Sequence, residues 1–269
     1  MAILAAALAL LLFGARGAPT QELQIFDTHL HYSQDAWDRY PPEAILAILD
    51  TAGVRRALVS STPDDGTLKL YEKAPTRIVP FLRPYRTRGD MGTWHRDAAV
   101  LDYVEERLKK GIYKGIGEFH LYGGQTDTRV IRRFVELSVG KNLILHAHSD
   151  DLAVEELFAI NPKAKILWAH AGMSSGAEAV GRLLDRYPTL WVELALRTDV
   201  APGGRLDPAW RALFLRHPDR FMVGTDTWVP SRWEVLPGYL ADVRAWLREL
   251  PPDVAERIAF GNAARLFGP

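Results

Sequence analysis

The sequence predicts an α/β fold, a single-domain (β/α)8 TIM barrel, and three observations predict it. Eight short apolar runs alternate with segments of helical periodicity, the pattern of parallel βαβ units. The chain of 269 residues is the right size for one such barrel once an N-terminal apolar leader is set aside. Residues suited to chemistry collect at the C-terminal ends of several runs, where barrels of this kind place their active sites. A doubly wound sheet is the alternative. It offers one crevice, whereas here the polar residues follow five separate strands.

The strand candidates are Leu23–His31, Arg55–Ser61, Arg77–Tyr85, Lys114–His120, Leu143–Ser149, Lys165–Gly172, Leu190–Leu196 and Phe221–Thr227. Between them, helical spacing puts Val100, Leu101, Val104 and Leu108 on one face of 97–110. Val130, Ile131, Phe134 and Val135 do the same in 128–142. Helix stops fall at Gly53, Gly111, Asn142, Pro162 and Pro188. No linker, repeat or low-complexity tract divides the chain.

Residues Ala2 to Phe13 form an unbroken apolar run, short of the roughly 20 residues that span a bilayer. Ala15-Arg16-Gly17 follows with small side chains at the two positions a signal peptidase reads. Residues 1–17 are therefore expected to be a secretory signal peptide, 18–269 the barrel, and the protein exported to the periplasm or the medium. A retained N-terminal anchor or a misplaced start is the alternative, since no Lys or Arg precedes the run. Lys plus Arg and Asp plus Glu are both 33, so no basic stripe argues for nucleic acid. The absence of cysteine excludes disulfides, thiolate metal sites and a cysteine nucleophile. A small-molecule substrate is the expected partner, with self-association into a homo-oligomer left open.

Six of the 8 histidines fall near the C-terminal ends of LQIFDTHLH, KGIGEFH, LILHAHS and KILWAHAG. His29 and His31 are two apart, so on a strand both imidazoles face one side, about 7 Å apart at the backbone. An isolated pair of this kind is weak evidence. Glu118 and His120 repeat the spacing, His146 and His148 repeat it again, and His170 and Asp226 complete a set of imidazoles and carboxylates. Such donors suit one or two divalent ions, with zinc first and manganese, iron or nickel also accommodated. A lone strand histidine is more often a hydrogen-bonded core residue; His95 and His217 are left so. Glu118 in its apolar run needs a cation in any case.

The ordered series HxH, Glu, His, His, Asp over strands one, four, five, six and eight resembles the amidohydrolase superfamily. More narrowly it is similar to the amidohydrolase-related branch of metal-dependent hydrolases, with TatD-like features at KGIGEFH. The closing FGNAARLFG is similar to the Asn-Ala-x-x-Leu-Phe segment of that branch. The resemblance implies His29 and His31 as ligands of the more buried metal and Glu118 as a bridging carboxylate. It implies His146 and His170 as ligands of a second metal, with His146 favoured over His148, and Asp226 as acid/base and ligand. His120 and His148 are then groups behind the ligands or against the substrate. The implied reaction is attack of metal-activated hydroxide on an ester, lactone or amide carbonyl. Non-oxidative decarboxylation at a single metal, phosphoester hydrolysis and a catalytically idle metal-binding protein are the rivals.

On the substrate side, Arg83 and Tyr85 end the third strand and Arg197 follows the seventh. An arginine there can grip a substrate carboxylate in two hydrogen bonds, or pair with a neighbouring Asp. Tyr122, Trp228 and Trp233 are candidates for aromatic walls, against the plainer reading of Trp as packing.

Overall fold

The computed structural model describes residues 22–268, and the expected leader lies outside them. Strands β1 (Ile25–Leu30), β2 (Val54–Val59), β3 (Ile78–Leu82), β4 (Gly115–Leu121), β5 (Ile144–Ser149), β6 (Ile166–Trp168), β7 (Leu190–Glu193) and β8 (Phe221–Met222) form one parallel sheet in sequence order. Backbone hydrogen bonds from Thr28 to Val223 (2.9 Å), from His31 to Thr227 (2.9 Å) and from Asp226 to His29 (2.7 Å) join the segment after β8 to β1. The ring thus closes as a (β/α)8 barrel. Helices α1 (Pro42–Thr51), α2 (Asp65–Lys73), α3 (Ala98–Leu108), α4 (Arg129–Gly140), α5 (Asp151–Ile160), α6 (Ala177–Arg186), α7 (Pro208–Arg216) and α8 (Pro230–Leu247) alternate with the strands. Short helices α9 (Pro252–Glu256) and α10 (Asn262–Phe267) follow. Among the described residues no helix is long and apolar enough to cross a membrane.

The helix starts follow from side-chain chemistry. Asp97, Thr128, Asp150 and Asp207 each accept a backbone N–H of the first turn of α3, α4, α5 and α7. Three strands end sooner than the apolar pattern suggests. β6 stops at Trp168, β7 at Glu193 and β8 at Met222. His170, Leu196 and Asp226 lie just past these ends with φ of 55, 61 and 48°, a left-handed backbone that no strand continues. Hydropathy reports burial, which persists through these turns, and is blind to the change of backbone direction.

Two apolar layers hold the barrel. The larger lies between strands and helices. The smaller fills the barrel interior with Phe26, Leu58, Phe81, Ile144, Leu167 and Met222, and α10 plugs it with Ala263 and Phe267. Phe267 sits 5.8 Å from the Phe26 ring and 5.7 Å from Phe81. Gly115 leaves room for this plug, because a Cβ there would lie 2.1 Å from the Phe81 ring. The plug seals one end, so polar interior residues gather at the other. Replacing Phe26, fully buried between Phe260 and Phe267, by Ala should cost about 3–5 kcal/mol of stability, read as a lower urea midpoint with an unchanged slope.

Candidate metal centre

The C-terminal ends of β1, β4, β5 and β6 and the turn after β8 bring His29, His31, Glu118, His148, His170 and Asp226 together. Four atoms form a compact polyhedron. His29 Nε2 and His31 Nε2 are 3.0 Å apart. Glu118 Oε2 lies 3.4 and 3.3 Å from them, and Asp226 Oδ1 3.5 and 3.2 Å. A cation bound tetrahedrally at 2.0–2.1 Å spaces its ligands roughly 3.3–3.4 Å apart, so these separations suit a shared cation; His29, His31 and Asp226 form one group able to hold an ion, and His29, Glu118 and His170 another.

The ring tautomers, assigned here from hydrogen-bond partners, point the same way. His29 Nδ1 lies 2.8 Å from Glu193 Oε1, His170 Nδ1 3.0 Å from the Ala195 carbonyl, and His31 Nδ1 against the Ser60 carbonyl. Each Nδ1 therefore carries the proton and each Nε2 presents a lone pair. Two lone pairs 3.0 Å apart repel unless a cation or a proton lies between them. His170 Nε2 is buried and faces only Glu118 Oε1, 3.5 Å away. The donors present fit a divalent ion, with outer groups that orient the ligands as metal sites require.

Burial would raise the Glu118 carboxyl, but His29 and Arg83 charges and bonds from His148 and His170 hold it well below the usual range. Burial opposes ionisation of Asp226 too, and His29 and His31 overcome it and keep it low. Glu193, buried but facing His29 and His170, is held at about 2. Burial disfavours a charged His29, yet Glu118, Glu193 and Asp226 raise it well above its ordinary value. Asp27 accepts from His29 N, Thr225 N and Thr225 Oγ1, and burial pushes it up to about 7.

On the fifth strand the two histidines take different places, with His146 in a group with His29 and Glu193 that could hold an ion. His148 Nδ1, not a nitrogen of His146, meets Glu118 Oε1, at 2.9 Å. His146 lies one layer deeper, its ring 4.6 Å from His29 and 6.2 Å from Phe81, with neither nitrogen hydrogen-bonded. Both face the interior, as their spacing implies; height decides between them. β4 shifts register between Gly117 and Phe119, so His120 pairs with His148 while Gly117 pairs with His146. Gly117 (φ 127°) lies so close to β5 that a Cβ would fall 2.2 Å from the His146 carbonyl.

Arg197 takes the second of its two expected roles, pairing with a neighbouring Asp. It gives Nε and Nη2 to Asp199, Nη1 to the His170 and Ala171 carbonyls, and Nη2 also to Ser175 O. No donor is left for a substrate. Its work is to clamp the turn 170–173, in which His170, Ala171, Gly172 and Met173 all have positive φ. Trp233 is core rather than wall, 1 % exposed. Tyr122 stands at the rim, 45 % exposed, with its ring 6.4 Å from His148.

A cavity of about 340 Å³ opens over the polyhedron, walled by Arg83, Tyr85, Arg88, His120, His148 and Trp228, with His31, Glu118 and Asp226 at its floor. Arg83 gives Nη2 to Glu118 Oε2 (2.7 Å) and Nε to the Glu118 carbonyl (3.1 Å). Tyr85 OH accepts from His120 N (2.7 Å), so its own proton goes to His120 Nδ1 (3.0 Å). His120 then carries its proton on Nε2 and stacks on His148, ring centroids 4.2 Å apart. A larger cavity of about 780 Å³ lies beyond Leu196, against residues 197–204 and α8. No imidazole lines it, so the chemistry belongs to the smaller one. Glu193, which the sequence reading passed over, carries the signal that marked Glu118: one carboxylate in an apolar run, LWVELAL.

Site and fold together define a metal-dependent hydrolase of the barrel type. The amidohydrolase family profile matches residues 26–268, and the chain belongs to that family. Among curated protein sequences none matches. Solved structures with the same fold include two described as 2-pyrone-4,6-dicarboxylic acid hydrolases. One is from Pseudomonas putida (TM-score 0.65, 16% identity, covering 91% of this chain and 97% of that one). The other is from Acinetobacter baumannii (0.63, 16%, 91% and 99%). A TatD homolog from Escherichia coli is similar at 0.61 and 16%, covering 91% and 98%. At such identity the likeness is one of fold.

Glu193→Gln should weaken metal binding about 10–100-fold, measured by competition with a chelator, because the amide loses the negative charge facing His29 and keeps one acceptor atom where the carboxylate uses two. His120, lowered from 6.5 to about 4 chiefly by burial, with Glu118 opposing and Arg83 assisting, makes a second measurement informative. The unfolded chain binds a proton at higher pH than the folded one, so this group's stabilisation is full above about pH 6.5 and is lost as pH falls toward 4. His120→Asn should flatten the loss of unfolding midpoint over that window.

Proposed function

We propose that the chain hydrolyses an ester, lactone or amide carbonyl, with His29, His31, Asp226 and Glu118 Oε2 holding a divalent ion and Asp226 serving as acid/base. One observation carries the reading: Asp226 Oδ1 completes the donor polyhedron while the same residue lies on the floor of the substrate-sized cavity. An ion bound there would lower the pKa of a coordinated water from about 16 to roughly 7. Imidazole and carboxylate donors favour zinc, with manganese, iron or nickel as further candidates.

Asp226 is set for proton transfer by its surroundings. Its N–H donates to the His29 carbonyl (2.7 Å), fixing the turn, and its carboxylate stays ionised at neutral pH. It takes a proton as the water attacks and returns it to the leaving group. His148 and His170 flank the other Glu118 oxygen, at 2.9 and 3.5 Å. His120 offers an Nε2–H donor at the cavity wall, suited to a carbonyl oxygen that gains charge. Arg88, paired with Asp35 at 2.9 Å and set 6.0 Å over Trp228, lines the mouth.

The pyrone named for two fold relatives is a cyclic ester, which supports placing lactones first among substrates. Asp226→Asn should keep the metal and lose about 10²–10⁴-fold in turnover of ester and lactone substrates. Wild-type turnover in metal-loaded Asp226→Asn would refute the role, and a decarboxylated rather than hydrolysed product would refute the reaction.

A further inference from the structure

The cavity holds a cation that the hydrolytic reading leaves unused. Arg83 is 7 % exposed and is fixed by three contacts: the Glu118 carboxylate, the Glu118 carbonyl, and the Tyr85 ring, 4.9 Å from its guanidinium carbon. Its Nη2 meets Oε2, the same oxygen that His29 and His31 approach at 3.4 and 3.3 Å. A carboxylate that bridges two ions has to give each oxygen to a metal. Here one oxygen is already shared with a guanidinium.

We propose that Arg83 stands in for a second metal, so that the chain saturates at a single divalent ion, held by His29, His31, Asp226 and Glu118. This rests on the metal-dependent reading above and adds the stoichiometry to it. In this arrangement Arg83 is a positioning residue: it holds Glu118 Oε2 toward the His29 and His31 pair and keeps the His148 and His170 side of the carboxylate free of metal. Hydrolysis needs no second ion, since one ion supplies the activated water and Asp226 the proton transfer.

The test is titration of metal-free protein with Zn²⁺, followed by calorimetry and by elemental analysis after removal of free metal. Wild type should bind one equivalent, Arg83→Lys one, and Arg83→Met two, each with a wild-type circular dichroism spectrum. His148→Ala, which leaves Arg83 in place, should still bind one equivalent with affinity within about threefold of wild type. Two equivalents in wild type, or a fall from two to one in His148→Ala, would overturn the proposal while leaving the metal-dependent hydrolase standing. One equivalent in a folded Arg83→Met would overturn it as well. A wild-type protein that binds no Zn²⁺ would instead remove the metal-centred reading on which the proposal rests.

Discussion

The bond between His29 Nδ1 and Glu193 Oε1 is the constraint on which the rest of the centre depends. It puts the proton of His29 on the nitrogen that faces the barrel wall and leaves Nε2 bare at the centre. The same Oε1 accepts the backbone N–H of His170 at 2.6 Å, and Oε2 accepts that of Ala195 at 2.7 Å. One carboxylate on β7 thereby sets the tautomer of a ligand from β1 and the position of a turn after β6. Gly224 approaches so closely that a Cβ would fall 2.1 Å from Glu193 Oε2, so β8 is bound into the same arrangement.

Among the described residues, and apart from Asn142 after α4, the left-handed non-glycine residues lie where they serve this centre. His170, Leu196 and Asp226 all take left-handed conformations just past β6, β7 and β8. Non-glycine residues hold such geometry only when their surroundings over-determine it. Around His170 the surroundings are Arg197, whose donors grip three carbonyls of the turn, and Asp199, which fixes Arg197. Around Asp226 they are the carbonyl of His29 and the Thr225–Asp27 bond. Turns of this kind swing a side chain back over the barrel mouth, which a strand continuing outward would not do.

Much of this was legible in the sequence, and the rest was hidden for definable reasons. Alternating apolar runs and helical periodicity gave the eight strands in order, because burial on both faces of a parallel strand writes itself directly into hydropathy. The clustering of His29, His31, Glu118, His170 and Asp226 was legible because they share the C-terminal ends of strands. Height along the axis was not: His146 and His148 have one parity, and only the register shift at Gly117 sets which meets Glu118. Arg197 left two readings open, substrate group or partner of a neighbouring Asp, because a sequence shows the charge and not the carbonyls waiting for it. Glu193 was overlooked although its signal was the same as that of Glu118, a charge where charge is costly.

The concentration of ionised carboxylates around His29 has a consequence for how the centre fills. Those charges draw a proton onto the ring when no metal is there, and His170 is likewise pulled above its ordinary value, against the effect of burial. Metal and proton therefore compete for the same lone pairs, and filling the centre releases acid. Acidic surroundings favour the protonated, empty form, and alkaline ones favour uptake. An ion entering the centre would have to displace that proton, so the imidazoles that would hold it also oppose its entry as the pH falls.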